Sequence, residues 1–473
     1  MANINNNDNK TQTLKIAVFT FFLNAGETTR AVEIAKKLRQ LASASNQKID
    51  IRFFSTVWSD DLKISYDHFI TDAGFKDVVR IGDGLTREQW REMLDREHAG
   101  LEYFQLKDVP EQVHNVKETM KALREYDPSI VLHGFLDGAI ASKIMNIPSI
   151  TFLPLPLDDD FFLNHMLTDI PLEDQKYGRL IPAWLRRKLY HTVLTSPFLP
   201  TFGSQPTLRK IAKEAGWKVS GKGMLSDMCC ADTILVNDLV GNYKGVSLDE
   251  SKMKVTGPVF PHNNNNSGDS ASPLKLDPEI VRVFDPKNTN KVFISMGSSG
   301  HRKNLLEALK AVGLSGEYNV VAVVPPSICS LEDLKVELVG VGGGGELPPS
   351  TYLTDKFIPA KDVNRLADVA VIHGGQGTVQ TSMGSATPVV CVGFQPEQIW
   401  NLDCIERRGA GIQLAPAEWT SDNVGKSICD IFGDYESYKK SAAAVKNEMD
   451  ASDGSAESAR LVLEFAAAKA SSS

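Results

Sequence analysis

Short apolar runs alternate with amphipathic segments of helical length along most of the chain. The first unit joins an apolar run, Leu14–Phe22, through the turn Asn24-Ala25-Gly26 to a helical pattern at Thr28–Leu41. The next run, Ile49–Phe54, completes a βαβ unit, the building block of a parallel sheet. Further strand patterns follow at Ile130–Leu132, Ile147–Leu155, Ala231–Asn237, Lys291–Met296, Asn319–Val324, Val369–Ile372 and Pro388–Val392. We therefore expect an α/β protein with two doubly wound, Rossmann-like parallel sheets.

A polar, low-complexity segment interrupts this alternation and indicates a domain boundary. It reads PHNNNNSGDSASP from Pro261 to Pro273, a composition that cannot pack into a core. The glycine-rich segment Val339–Glu346 lacks the Lys-Ser/Thr pair of a phosphate loop, so we expect it to be a flexible connection. We predict two domains facing a central cleft, with boundaries at 13–259 for the first domain, 260–273 for the linker, 274–430 for the second domain and 431–470 for C-terminal helices.

Length, charge and cysteine usage narrow the class of protein. A chain of 473 residues exceeds one ordinary core, which agrees with two domains. The net charge of −8 argues against a nucleic-acid partner, because binding phosphates needs a basic surface. The 6 cysteines have no CxxC spacing and are typical of reduced thiols. The chain has no signal-peptide pattern and no uninterrupted apolar run of about eighteen residues, so we expect a cytoplasmic protein without a transmembrane segment.

The strongest candidate for chemistry follows the strand pattern Val369–Ile372. There the turn His373-Gly374-Gly375-Gln376-Gly377-Thr378 precedes a small-residue segment able to form a helix. Glycines let a backbone approach a ligand closely, and a helix start offers unpaired N–H groups and the positive end of a dipole. This arrangement suits a phosphate group. The next strand pattern leads to further polar residues at the same sheet edge, where open α/β sheets bind ligands: Glu397, Gln398 and Asn401.

These residues resemble the donor-binding motif of the UDP-glycosyltransferases, which have the two-domain GT-B fold. The resemblance implies that the diphosphate is held by the glycine turn, through His373, Gly375, Gln376, Gly377 and Thr378. It also implies that the acidic-Gln pair, Glu397 and Gln398, holds sugar hydroxyls. One position departs from the family, since Thr381 stands where a glutamate usually contacts the ribose.

The resemblance extends from about Leu14 to Ala468 and implies further site residues. It implies that the C-terminal helices return to the first domain. A second glycine turn, Gly297-Ser298-Ser299, would close over the diphosphate, and Phe357 and Ile358 would contact the nucleobase, although Phe357 is equally consistent with a core position. The acceptor pocket of the family is often lined by an aromatic region, represented here by Phe161, Phe162 and His165, but aromatic spacing alone is more often typical of a core.

Three residues compete for the role of general base on the acceptor. The family usually has a Gly-His pair in the first βα turn, and aligning Gly26 with that glycine places Glu27 at the histidine position. Glu27 is equally consistent with a helix-start residue that interacts with the dipole. His133 and Asp137 follow the strand pattern that ends at Leu132, where side chains face the crevice of such sheets, and Asp137 is alternatively a helix N-cap.

The resemblance implies an inverting glycosyltransferase that moves a sugar, most simply glucose, from a UDP-sugar co-substrate to a small-molecule or lipid acceptor. It implies no metal ion or other cofactor. A sugar-nucleotide epimerase of similar fold and a non-catalytic nucleotide-sugar-binding protein are the alternatives. The run Asp158-Asp159-Asp160 also has the composition of a metal-diphosphate site, although the helix start near His373 would supply charge stabilisation without metal.

Overall fold

The computed structural model describes residues 13–62, 65–90, 92, 109–134, 136–156, 161, 165, 182, 185, 188, 206–217, 231–259, 276–297, 300–314, 316–326, 328–342 and 346–472. Its strands form two separate sheets, in which each strand pairs in parallel with its neighbours. The predicted linker, 260–273, lies outside these residues.

The first sheet has the strand order β3-β2-β1-β4-β5-β6-β7. Its strands are β1 (Leu14–Phe19), β2 (Ile49–Ser55), β3 (Val78–Arg80), β4 (Ile130–His133), β5 (Ser149–Leu153), β6 (Thr233–Val236) and β7 (Met253–Val255). The second sheet has the order β10-β9-β8-β11-β12-β13. Its strands are β8 (Lys291–Ser295), β9 (Asn319–Val323), β10 (Thr351–Thr354), β11 (Val369–Ile372), β12 (Val389–Val392) and β13 (Gly411–Leu414).

Helices connect these strands. In chain order, those with described bounds are α1 (Ala25–Ala44), α2 (His68–Asp72), α3 (Val109–Tyr126), α4 (Leu136–Met145), α5 (Pro206–Ala215), α6 (Pro278–Val283), α7 (Arg302–Val312), α8 (Leu331–Gly342), α9 (Ala360–Leu366), α10 (Gln376–Met383), α11 (Pro396–Arg407), α12 (Ser421–Gly433), α13 (Tyr435–Asp450) and α14 (Gly454–Ser472). Short 3₁₀ helices lie at Val240–Tyr243 and Pro416–Glu418.

Both sheets have helix-covered faces, which explains their continuous apolar strands. Every residue of β4, β5, β11 and β12 is buried. Strands buried on both faces do not need to alternate apolar with polar residues. In each sheet the strand order reverses beside the first strand, between β1 and β4 and between β8 and β11. Ligands bind at such switch points, outside the carboxyl ends of the strands. The prediction of two doubly wound, Rossmann-like sheets is confirmed.

The first helix begins earlier than its apolar pattern indicates, because Asn24 caps it. The Asn24 side chain accepts a hydrogen bond from the backbone N–H of Glu27 at 3.1 Å. One face of α1, including Ile34 and Leu38, is buried in the core of the first sheet. The last helix, α14, contributes Val462 to the same core, so the end of the chain packs against its beginning.

Two sequence expectations differ from the structure in detail. Val339–Gly342 are not a flexible connection but the end of α8, because their apolar pattern continues that of the preceding turns, whereas 343–345 lie outside the described residues. The exact domain boundaries stay predictions. Across the described residues, we find no helix that combines the length and the apolarity needed to cross a membrane.

Candidate active site

The glycine-rich turn lies at the carboxyl end of β11, next to the switch point of the second sheet. His373 is buried, Gly374 has a φ of +82°, and Gly375 caps α10. The positive φ requires glycine, since other residues adopt it at a cost. Thr378 Oγ1 donates to the Gly375 carbonyl at 2.7 Å and lies 3.5 Å from His373 Nδ1. The turn therefore holds a histidine, a hydroxyl and a helix start together.

Close packing around His373 brings the second predicted turn beside the first. Gly297 has a φ of +60°, and a Cβ atom there would lie 2.2 Å from His373 Cε1. A Cβ at Gly375 would lie 2.6 Å from His373 Nε2. At Gly377, by contrast, a Cβ would have no neighbour within 4 Å, so the helix start is open on that side. Ser298 and Ser299 lie outside the described residues.

The acidic-Gln pair lies in the first turn of α11 and faces the glycine turn. Glu397 Oε1 accepts hydrogen bonds from Gln376 N at 2.9 Å and from Asn401 Nδ2 at 2.8 Å. Burial raises the pKa of Glu397, and the cation of Arg30 opposes that change. Gln398 Oε1 accepts from Phe394 N at 2.9 Å. Within the described residues the Gln398 amino group makes no hydrogen bond, so it is a donor available to a ligand.

The Gln376 side chain contacts the first domain. Its Nε2 atom donates to the carbonyls of Pro154 at 3.0 Å and Asn237 at 2.9 Å, and its Oε1 atom accepts from Arg30 Nη1 at 2.6 Å. The resemblance implies that Gln376 binds the donor. The side chain is instead occupied by contacts between the domains, because the strand ends of the first sheet meet the start of α10. Its backbone N–H group donates to Glu397 Oε1, so that group is also engaged within the protein.

Glu27 lies in the first turn of α1, and its carboxylate is buried. Its Oε1 atom accepts from Phe21 N at 3.3 Å. The carboxylate also lies against the backbone of Gly134, where a Cβ would come within 2.3 Å of Oε1. Burial is the largest influence and raises the pKa of Glu27 to about 7, against the opposing effects of Arg30 and the Phe21 N–H group. A carboxylate with this pKa can exchange a proton at neutral pH.

Arg30 is a residue of this site that the sequence did not reveal. It lies one turn after Glu27 on α1 and donates from Nη1 to Gln376. Burial lowers its pKa, whereas the carboxylates of Glu27 and Glu397 raise it. The i, i+3 spacing from Glu27 was the available sequence signal, but it is typical of ordinary surface pairs.

The two competing base candidates differ in what the structure describes. His133 ends β4 and is fully buried, and neither ring nitrogen has a hydrogen-bond partner among the described residues. Burial lowers its pKa to about 3. Such an imidazole is a neutral core side chain and is poorly suited to accept a proton from a ligand. Asp137 lies in the first turn of α4, and its side chain lies outside the described part of the structure.

Of the aromatic residues predicted for the acceptor pocket, the structure describes Phe161 and His165. Phe161 is fully buried, and its ring centroid lies 5.0 Å from that of Trp400 in the second domain. This corrects the acceptor-binding prediction for Phe161, which packs in a core between the domains. The ring centroid of His165 lies 5.6 Å from that of Phe161. Burial and the nearby Arg407 cation lower the pKa of His165. Phe162 lies outside the described residues.

The predicted nucleobase residues differ in exposure. Phe357 is 71% exposed, so the alternative of a core position is wrong. Its ring meets that of Phe69 on α2 with 6.1 Å between centroids. Ile358 is buried in the core of the second domain. Thr381, at the expected ribose position, donates from Oγ1 to the Thr378 carbonyl at 3.0 Å.

A metal-diphosphate site has no geometric support in the described part of the chain. Asp158, Asp159 and Asp160 lie outside it. Among the residues that are described, no group of three or more His, Cys, Asp or Glu side chains is arranged to hold a metal ion.

The two doubly wound parallel sheets have the GT-B fold, and solved structures agree. The chain superposes on the glycotransferase of kitacinnamycin with a TM-score of 0.59 and 16% identity, covering 96% of this chain and 99% of that one. For the spinosyn forosaminyltransferase SpnP the TM-score is 0.60 at 16% identity, with coverage of 96% and 100%. At these identities the likeness establishes the fold.

Sequence comparisons show which transferases this chain resembles. Residues 340–465 match the model of the erythromycin biosynthesis protein CIII-like C-terminal domain. UDP-glycosyltransferase 2 of Phaeomoniella chlamydospora is 30% identical over 165 residues, covering 33% of this chain and 36% of that protein. A PGL/p-HBAD biosynthesis rhamnosyltransferase of Mycobacterium bovis (strain BCG / Pasteur 1173P2) is 25% identical over 329 residues, 69% of this chain and 65% of that protein. The alignments thus span about a third to two thirds of these relatives. The predicted resemblance to the GT-B UDP-glycosyltransferases is confirmed.

Proposed function

We propose that this protein is an inverting glycosyltransferase that moves a sugar from a nucleotide-sugar donor to a small-molecule or lipid acceptor. The proposal rests on one observation: the helix that contains Glu27 in the first domain contacts the start of α10 in the second domain. Glu27, a buried carboxylate of the first domain, lies one helical turn from Arg30, which hydrogen-bonds to Gln376 at the start of α10. A candidate proton acceptor of the first domain and a candidate anion site of the second are thus linked through the hydrogen bond between Arg30 and Gln376.

The chemistry assigned to these groups is direct displacement. The acceptor oxygen attacks the anomeric carbon and forms the new glycosidic bond while its proton passes to Glu27. The bond from that carbon to the donor phosphate breaks, and its electron pair leaves with the diphosphate. The dipole of α10 and the Gly377 N–H group at its start, which makes no hydrogen bond within the described residues, stabilise the charge that develops there. Attack opposite the leaving group inverts the anomeric configuration.

The pKa of Glu27 supports its role as the general base. An efficient base has a pKa close to the operating pH, since it must be ionised and still bind a proton well. Burial raises the pKa of Glu27 to about 7, which meets that condition. His133, whose pKa is lowered to about 3, does not. Asp137 remains the competing carboxylate.

The sugar and nucleotide are further parts of the proposal. Glucose from UDP-glucose is the simplest donor for the motif. A relative named as a UDP-glycosyltransferase supports a UDP-linked donor, and one named as a rhamnosyltransferase supports a deoxyhexose as the sugar. Thr381 replaces the usual ribose-binding glutamate, so competition for UDP-glucose by UDP, TDP and GDP is the informative measurement for the nucleotide.

The test is release of the nucleoside diphosphate with and without acceptors. The protein is incubated with UDP-glucose or TDP-rhamnose, alone and with panels of phenols, macrolides and lipid alcohols, and UDP or TDP is quantified together with the sugar product. A transferase requires acceptor and yields an inverted glycoside. An epimerase alters the donor sugar without acceptor, and a binding protein does neither. Either of the last two results would overturn the proposal.

Variants separate the base candidates within that assay. Glu27→Gln keeps the shape of the side chain but removes its basicity, so we expect turnover to fall by about 10²–10⁴-fold. Asp137→Asn is the matched variant of the competing carboxylate, and His133→Ala tests the buried imidazole. Near-normal turnover in Glu27→Gln together with loss of turnover in Asp137→Asn would assign the base to Asp137.

A further inference from the structure

Arg30 occupies an unusual position between the two halves of the candidate site. Its Nη1 atom donates to Gln376 Oε1 at 2.6 Å, and these residues are 346 positions apart in the sequence. Within the described residues Gln376 is its one hydrogen-bond partner, and the buried Nε atom has none. An isolated surface arginine would instead have its guanidinium group in water. The position of this cation is thus set by the second domain rather than by its own helix.

Two carboxylates interact electrostatically with the Arg30 guanidinium group. Glu27 lies on the same helix and Glu397 lies across the domain boundary, and both interact electrostatically with Arg30. In the described residues no ion pair within 4.0 Å joins either carboxylate to Arg30. The electrostatic attraction therefore acts over a longer distance than a direct ion pair. Opposite charges interact more strongly in a partly buried site than in water. With both carboxylates ionised, the three groups together carry a net charge of about −1.

Other titratable groups around Glu27 are few. His133 directly precedes Gly134, whose backbone lies against the Glu27 carboxylate, but burial lowers the pKa of His133 and keeps it neutral. Asp238 lies near Glu397 and raises the pKa of that residue. Among the described groups, Arg30 is the cation that acts on Glu27.

We propose that Arg30 is a positioning residue that favours the ionised form of the Glu27 carboxylate and couples it, through Gln376, to the glycine turn of the second domain. The inference rests on the proposed role of Glu27 as general base. It means that the base is active when the two domains are in contact, because Gln376 holds the guanidinium group in place. The hydrogen bond between Arg30 and Gln376 then holds the helix that carries Glu27 against the start of α10.

The test reads the Glu27 carboxyl group directly, without donor or acceptor. Protein labelled with [5-¹³C]glutamate is titrated by NMR from pH 5 to 9, and the Glu27 signal is the one missing from Glu27→Gln. We expect a midpoint near 7 for the native protein, as the pKa of Glu27 indicates. Arg30→Met should raise that midpoint by roughly 1 pH unit, because an adjacent opposite charge favours the ionised form by about 1–3 units.

Two further variants show whether the charge of Arg30 or its packing sets the midpoint of Glu27. Arg30→Lys keeps the charge and should leave the midpoint close to the native value. Arg39→Met removes an exposed arginine from the same helix, where it stacks on Phe75, and should not change the midpoint. An unchanged midpoint in Arg30→Met would overturn the proposal. An equal rise in Arg30→Lys would overturn it too, since the effect would then arise from packing.

Activity measurements follow the same variants with UDP-glucose and the acceptor that gives turnover. In Arg30→Met the ionised fraction of Glu27 at pH 7 should fall from about a half to about a tenth, so kcat falls about fivefold and recovers above pH 8, with little change in KM for UDP-glucose. If the NMR midpoint rises while Glu27→Gln keeps full turnover, the base role in the proposed function fails and the effect of Arg30 on Glu27 stands.

Discussion

Replacing Glu27 with glutamine tests the buried carboxylate on which the proposed mechanism depends, and the test needs no substrate. Glu27 is 7% exposed, and burial raises the pKa of its carboxyl group from 4.5 to about 7. The folded protein therefore binds a proton there more tightly than the unfolded chain does. The stabilising contribution of that proton is fully present below about pH 4.5 and is lost as the pH rises through 7.

The size of the effect follows from these values. A difference of about 2.5 pH units at 1.36 kcal/mol each amounts to about 3 kcal/mol by which ionised Glu27 destabilises the fold above pH 7. Glutamine can still accept the hydrogen bond from Phe21 N but loses about 0.3–1 kcal/mol of carboxylate interaction with the start of α1. We expect Glu27→Gln to stabilise the protein by roughly 2 kcal/mol at pH 8 and to have little effect near pH 4.5.

Urea-induced unfolding at pH 5 and pH 8, followed by circular dichroism, measures the difference in the free energy of unfolding. The matched control is Glu33→Gln, which removes a carboxylate from the same helix that pairs with Lys36 at 3.0 Å. That control should not gain stability at pH 8. An effect of Glu27→Gln that is the same at both pH values would refute the reasoning, because burial would then not perturb the carboxyl group.

Three further variants test the donor site, by calorimetry of UDP-glucose binding and by measurement of turnover. Gln398→Ala should weaken binding by about 1–3 kcal/mol, because it removes polar contacts from a desolvated site, and unchanged affinity and turnover would remove the sugar-binding assignment. Gly297→Ala should lower turnover on the order of 10²-fold by displacing His373, since its Cβ would lie 2.2 Å from the ring; normal turnover would contradict that packing. Phe357→Ala should cost about 1–3 kcal/mol of nucleotide binding through lost stacking, while the 71% exposure of the ring predicts an unchanged melting temperature. Equal affinity for UDP in that variant would exclude nucleobase stacking.

Much of the fold was determined by local patterns in the sequence. The apolar runs that became β1, β4 and β11 are strands buried on both faces, and continuous apolar composition is sufficient to indicate them. The glycine turn at His373 was likewise readable, since a positive φ and a helix start depend on neighbouring residues. The spacing of those residues was enough to establish the resemblance to the GT-B class.

Tertiary structure decided how the residues of the two domains combine. The contact of Arg30 with Gln376 spans 346 positions, and no local pattern reports a pairing across separate sheets. The pKa of Glu27 near 7 depends on burial, which the identity of a glutamate does not reveal. The sequence also did not determine which aromatic side chains are exposed, since Phe161 lies in a core and Phe357 does not. Sequence specifies which local elements form, whereas burial and charge interactions arise when distant elements meet and exclude water.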